Sequence, residues 1–159
     1  MAVVLAAAPD SVLLIRRADR EGDPWSGQMG MPGGRRDTAD PDLLATARRE
    51  TLEEVGLDPK ESAHLGRLDD VSPRTPTATP VVVRPYVFTL DRRYHLTLNA
   101  EVAFAIWVDL SELRRPDIYR PVTLQLRGQS RSFPAYHLES GVVWGLTERI
   151  LTPLLDLTR

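Results

Sequence analysis

Glu50, Glu53 and Glu54 crowd together beside Arg49 in the stretch Arg49-Glu50-Thr51-Leu52-Glu53-Glu54-Val55-Gly56-Leu57. On a helix the three carboxylates fall at i, i+3 and i+4 and converge on one face. Grouped anions repel one another unless a cation lies between them. Mg²⁺ suits that need, because it takes carboxylate oxygens and keeps several waters for chemistry on phosphates. Upstream, Pro32-Gly33-Gly34 lets the backbone approach a ligand closely. The carbonyl of Gly33 can complete the coordination, since glycine presents an oxygen without a side-chain clash. The competing reading is a solvated, glutamate-rich helix face on which Arg49 pairs with Glu53.

Other residues carry weaker signals. Glu101 opens an otherwise apolar strand, where it is either a site carboxylate or a solvated strand end. Asp40 reads as a helix N-cap before Pro41 rather than as a metal ligand. Glu139 reads as a first-turn charge on the last helix. Arg16, Arg17, Arg35 and Arg36 flank the glycine loop as phosphate contacts or as solvated charges. His64, His95 and His137 have no ligand spacing and read as structural. Trp25 can stack on a nucleotide base; Trp107 and Trp144 read as core.

The elements that position these residues follow from pattern. Residues 2–8 and 11–17 read as a hairpin turning at Pro9-Asp10. Residues 18–31, with Gly22, Pro24, Gly27 and Gly30, read as an active-site loop. A helix is expected over 41–55, with Asp40 as cap, Gly56 as stop, and Leu43, Leu44, Ala47, Leu52 and Val55 as its buried stripe. Strands are expected at 64–70, 79–90 and 101–109, and a hairpin over 120–127 and 131–137 around Gly128-Gln129. Residues 141–157 read as the closing helix, with Val142, Val143, Leu146, Ile150 and Leu154 inward. Strands on both sides of a helix, plus a terminal helix, give an α/β domain with helices on a mixed sheet.

The chain has 159 residues, 42% hydrophobic and 26% charged, which fits a single globular domain over 1–159. A net charge of -2 argues against a nucleic-acid binder. Lys60 is the only lysine, so the positive charge is almost all arginine. Cysteine is absent, which excludes disulfides and thiolate chemistry and is compatible with a cytoplasmic location. The apolar start is too short to span a bilayer, and no membrane association is expected.

Together, the glycine pair, Asp40 and the Arg49–Leu57 stretch resemble the Nudix box, G-x5-E-x7-R-E-U-x-E-E-x-G-U, where U is aliphatic. Asp40 takes the place of the first glutamate, one residue more than usual separates it from Arg49, and Thr51 replaces an aliphatic residue. The longer spacing is similar to the coenzyme A diphosphatase-like branch of that family. Val83-Arg84-Pro85-Tyr86-Val87, Asn99-Ala100-Glu101-Val102 with Trp107-Val108, and Trp144-Gly145-Leu146-Thr147 resemble the same branch. Trp25 and Met31 depart from it, standing where it often carries histidine and phenylalanine.

The resemblance implies an α/β/α sandwich and Mg²⁺- or Mn²⁺-dependent hydrolysis of a P–O–P linkage in a nucleoside diphosphate derivative. Coenzyme A leads the substrates, giving 3′,5′-ADP and 4′-phosphopantetheine. The alternatives are ADP-ribose, a nucleotide sugar or a nucleoside triphosphate, and, from another class, a non-catalytic nucleotide sensor. It further implies Glu50 and Glu54 as main metal ligands and Glu53 as a further ligand or the base. Glu101 is implied as ligand or base, and Arg49 as the group that holds a box glutamate in place. Arg16, Arg35 and Arg36 would grip substrate phosphates, Trp25 would contact the base, and a homodimer is an expected assembly.

Overall fold

A computed structural model describes the chain apart from residues 8–9, 24, 60–62, 75–79, 127 and 159. Strands β1 (Ala2–Ala6) and β2 (Ser11–Arg17) form the middle of the main sheet. Strand alternation sorts their side chains to two faces. Val3, Val12 and Leu14 enter one core with Ile150, Leu151 and Leu154. Ala2, Val4, Leu13 and Ile15 enter the other with Ala47 and Val55. The two cores belong to helices α1 (Leu43–Val55) and α3 (Gly145–Leu157), which therefore cover opposite faces of one sheet. This is the expected α/β/α sandwich.

The sheet adds β3 (Met29–Gly30), β4 (Ala63–Arg67), β5 (Tyr86–Leu90) and β6 (Val102–Asp109). It is mixed: β1 runs parallel to β5, and the other pairings are antiparallel. Strand β6 lies along β2 from Ser11 opposite Asp109 to Arg17 opposite Val102. That register brings Glu101 to the end of β2, where the Ala18 N–H donates to the Glu101 carbonyl at 2.8 Å. Beyond the sheet lie α2 (Leu110–Leu113), the hairpin β7 (Val122–Leu126) with β8 (Gln129–Phe133), and the hairpin β9 (Ala135–Leu138) with β10 (Gly141–Trp144).

Several expectations are corrected. The first hairpin pairs only Leu5 with Val12 and Ala6 with Ser11, because β1 and β2 find longer partners in β5 and β6; Pro9 of its expected turn lies outside the described residues. Asp42, not Asp40, caps α1, accepting the Ala45 N–H at 2.8 Å. Leu52 is 48% exposed, while Thr46, Thr51 and Glu54 are buried. Thr51 tolerates burial because its hydroxyl donates to the Ala47 carbonyl at 2.7 Å.

Residues 141–144 are a strand, as Val142, Val143 and Trp144 favour, and α3 begins at Gly145. Glu139 sits in the β9–β10 turn, and the acid in the first turn of α3 is Glu148. Pro134 divides 131–137 into β8 and β9. The expected 79–90 strand is shortened to β5, with Pro85 at its entrance and Val83 in an isolated bridge to Val71; Thr79 lies outside the described residues. Trp107 and Trp144 are only half-buried, Trp107 on β6 and Trp144 against Phe133. Among the described residues no helix is long and apolar enough to cross a membrane.

Candidate active site

Helix α1 stops at Gly56, whose φ of 68° suits glycine and whose N–H returns to the Leu52 carbonyl. A Cβ there would lie 3.0 Å from Thr97, so the glycine also lets the 97–101 segment close on the helix end. The Thr97 N–H donates to the Val55 carbonyl at 2.9 Å, and the Asn99 N–H to the Glu54 carbonyl at 3.2 Å. Asn99 Oδ1 then accepts the Glu101 N–H at 2.9 Å. This strap delivers Glu101, remote in sequence, to the carboxylates of α1.

Glu54 is 2% exposed, and its Oε2 accepts the Gly33 N–H at 2.9 Å. Burial pushes its carboxyl up to about 7. The Gly33 N–H and the charge of Arg17 oppose that rise, while Glu50 and Glu101 add to it. Burial likewise raises Glu50, against the pull of Arg49, with Glu53 and Glu101 pushing the same way as burial. The four acids therefore share one electrostatic site. Gly34 is needed by the same site: a Cβ on it would fall 2.5 Å from the Glu50 carboxylate.

Among the described residues no three acidic or histidine side chains form a ready-made ligand cage. Each carboxylate lies against a nearby donor. Glu50 turns to Arg49 at 2.9 Å, Glu54 to Gly33, and Glu101 to Arg20 at 3.2 Å. The donor set nevertheless fits a hard divalent cation. It is all oxygen, partly desolvated, mutually repulsive, and bordered by two glycines that admit close approach.

Arg49 is the hub of the surrounding ion pairs. Its Nε lies 3.0 Å from Asp40 Oδ1 and one terminal nitrogen 2.9 Å from Asp40 Oδ2. The other terminal nitrogen reaches Glu50 at 2.9 Å and Glu53 at 3.0 Å. A further bond reaches the Arg35 carbonyl at 3.2 Å. Asp40 is 6% exposed and also accepts the Thr46 hydroxyl at 2.9 Å and the Asp37 N–H at 3.0 Å. The guanidinium holds the Asp40 carboxyl well below the usual carboxylate range, and Asp40 in turn raises Arg49. Asp40 is thus the anchor of Arg49 rather than a helix cap.

The other candidates divide. Arg36 is committed to loop backbone, donating to the carbonyls of Asp40 and Pro41. The Arg35 side chain is exposed. Arg16 donates to the Gly27 carbonyl at 3.2 Å and lies 3.5 Å from Asp19. Trp25 is half-buried in the 18–28 loop. His64 packs on Tyr86 and Phe88, and His137 meets the Arg120 carbonyl, both structural uses. Sequence reasoning missed Arg20, which pairs with Glu101, and Asp23, which grips Arg17 at 2.9 Å. Neither belongs to the box, and both pairings come from loop folding.

The NUDIX domain family model matches residues 1–126. The chain is 34% identical over 152 residues to an uncharacterized Nudix hydrolase NudL of Citrobacter koseri, covering 95% of this chain and 77% of that protein. An uncharacterized protein of Schizosaccharomyces pombe is 37% identical over 131 residues, which are 79% of this chain and 40% of that protein. The chain thus spans well under half the length of that relative. Among solved structures, a MutT/nudix family protein from Enterococcus faecalis superposes with a TM-score of 0.63 at 19% identity, over 98% of this chain and 61% of the other. The family model over residues 1–126 and the 34% identity to the Citrobacter koseri relative, together with this chain's own glycine pair and carboxylate helix, show that the chain belongs to the Nudix family, whose hydrolases cut diphosphate linkages.

Proposed function

We propose that the protein is a Mg²⁺- or Mn²⁺-dependent diphosphatase of nucleoside diphosphate derivatives, with coenzyme A as its leading substrate. One observation carries the metal part of the reading. Among the described residues the only hydrogen bond to the buried Glu54 carboxylate comes from the Gly33 N–H, and the charges of Glu50 and Glu101 outweigh the pull of Arg17. Such an arrangement is costly unless a cation joins it.

In this reading Glu50 and Glu54 would hold the ion, the Gly33 carbonyl would complete the set, and Glu53 and Glu101 would each serve as a further ligand or as the base. When bound, the ion neutralises charge on the diphosphate oxygens. Glu53 or Glu101 accepts the proton of the attacking water. Water adds to one phosphorus, the bridging P–O bond breaks, and coenzyme A would leave as 3′,5′-ADP and 4′-phosphopantetheine. Arg49, fixed by Asp40, keeps Glu50 and Glu53 oriented. Arg35, whose side chain is exposed, contacts phosphates and Trp25 the base, while Arg16 and Arg36 would join only by leaving the loop carbonyls they now hold. The resemblance to the coenzyme A branch supports the substrate. A cytoplasmic, homodimeric state belongs to the same reading and is checked by cell fractionation and solution mass.

The test is mass spectrometry after incubation with Mg²⁺, then Mn²⁺, and a pool of coenzyme A, ADP-ribose, a nucleotide sugar and nucleoside triphosphates. Appearance of 3′,5′-ADP with phosphopantetheine supports the full proposal. Cleavage of another member keeps the metal chemistry and removes coenzyme A. No cleavage with either metal removes every substrate named here and favours a substrate outside the pool or a nucleotide sensor.

A further inference from the structure

We propose that Asp23 is a positioning residue that couples the 18–28 loop, and the Trp25 indole on it, to the carboxylate site, and thereby sets affinity for the base of a nucleotide. The inference rests on the nucleotide reading above but not on turnover. The loop leaves and rejoins the sheet at one point. The Arg17 N–H donates to the Gln28 carbonyl at 3.0 Å, and Arg16 Nε to the Gly27 carbonyl at 3.2 Å. Inside it, the Arg20 N–H meets Ser26 Oγ at 2.8 Å, and the Ser26 N–H meets the Asp23 carbonyl at 3.1 Å. A loop closed in this way is a defined object whose placement depends on its few fastenings.

Asp23 supplies the strongest of them. One carboxylate oxygen accepts from Arg17 at 2.9 Å, and the other accepts the main-chain N–H of Trp25 at 2.9 Å. Both side chains of the ion pair are largely shielded, which favours a charge-assisted bond over an exposed one. Arg17 is the last residue of β2, opposite Val102 and next to the strap that carries Glu101. Its Nε is buried with no hydrogen-bond partner among the described residues, so Asp23 is what fixes its guanidinium. The second fastening, Arg20 to Glu101, is exposed on both sides and holds weakly. Asp23 thus ties an aromatic loop residue to a cation beside the acids, much as Asp40 ties Arg49 to Glu50 and Glu53.

The experiment is calorimetric, with Mg²⁺ and two probes that resist cleavage: α,β-methylene-ADP, which carries a base, and methylenediphosphonate, which does not. D23N is expected to weaken the first roughly tenfold and to leave the second nearly unchanged. R17K, which keeps the charge and loses the fork, should show the same selectivity in smaller measure. D23N/W25A should bind α,β-methylene-ADP no worse than W25A alone, since the two residues act as one unit. Equal weakening of both probes, or additive losses in the double variant, overturns the proposal. So does a wild type that binds both probes alike. Because neither probe is hydrolysed, a protein that cleaves nothing but keeps this selectivity would sink the hydrolase reading alone.

Discussion

Helices α1 and α3 have the same length and cover opposite faces of one sheet, yet they bury different chemistry. Helix α3 buries Ile150, Leu151, Leu154 and Leu155. Helix α1 buries Thr46, Thr51 and Glu54 beside Ala47 and Val55, and leaves Leu52 in solvent. Each helix also buries one glutamate, 2% exposed at Glu54 and 5% at Glu148. Glu148 is satisfied: its Oε1 accepts the Tyr119 hydroxyl at 2.8 Å and the Thr152 hydroxyl at 3.0 Å. Among the described residues Glu54 accepts only the Gly33 N–H, and it faces Glu50 and Glu101 with Arg17 as a partial counter-charge. Burial alone therefore says little about a glutamate's role. What its oxygens meet separates a structural tie from a site that withholds stability for function.

The largest effects should come from Glu54. E54Q is expected to lower kcat about a hundred- to a thousandfold, measured on whichever pool member the wild type cleaves. In metal chelator at pH 8 the same variant should melt higher than wild type, by roughly 3–6 °C, because a buried repulsive charge is gone. The sign follows from linkage. A carboxyl raised to about 7 in the folded state binds more protons there than in the unfolded chain between about pH 4 and 7. Metal-free stability therefore falls as pH rises through that window, and the slope flattens in E54Q. A wild type whose chelated melting temperature is flat from pH 5 to 8 removes this account of Glu54.

Asp40 comes next, because it acts through Arg49. D40N should cost about ten- to a hundredfold in Mn²⁺ affinity or kcat. Calorimetry with Mn²⁺ alone separates the two. The ion pair also contributes acid stability of the opposite sign to Glu54: the folded Asp40 is depressed, so its contribution is complete above about pH 4 and is lost on further acidification. Acid unfolding of D40N should be less steep in that range.

These residues also show how far the sequence could be read. The carboxylate face, the glycine pair and the Gly56 stop were visible, because each needs a fixed residue type at a local spacing. The pattern of strands and helices showed an α/β domain with a mixed sheet, and the family resemblance narrowed it to the sandwich. Asp40 was misplaced because an aspartate directly before a proline matches the local start signal of a helix, which takes no account of distant partners. The choice of Asp42 is made by Arg49, nine positions on, which claims Asp40. Leu52 was misassigned because helical periodicity counts apolar residues. Here Thr51 satisfies its own hydroxyl and Glu54 is held by Gly33, so polar groups take the inner face. Arg20 and Asp23 were invisible, since their partners are set by loop closure.

The smallest expected effect tests the other side of the comparison. Glu148 joins α3 to the Tyr119 and Tyr136 rings, which lie 4.8 Å apart, and Tyr136 shares the network through the Thr152 hydroxyl at 2.8 Å. E148A leaves the Tyr119 and Thr152 hydroxyls without their acceptor, at a cost of about 1–3 kcal/mol. For a domain of this size that is several degrees in melting temperature. E148Q retains an acceptor oxygen and should lose less. Mn²⁺ affinity and kcat should not move in either variant, because among the described residues no bond in this network reaches α1. Should E148A weaken Mn²⁺ binding as D40N does, the two faces are not independent, and the contrast between the buried glutamates becomes one of degree.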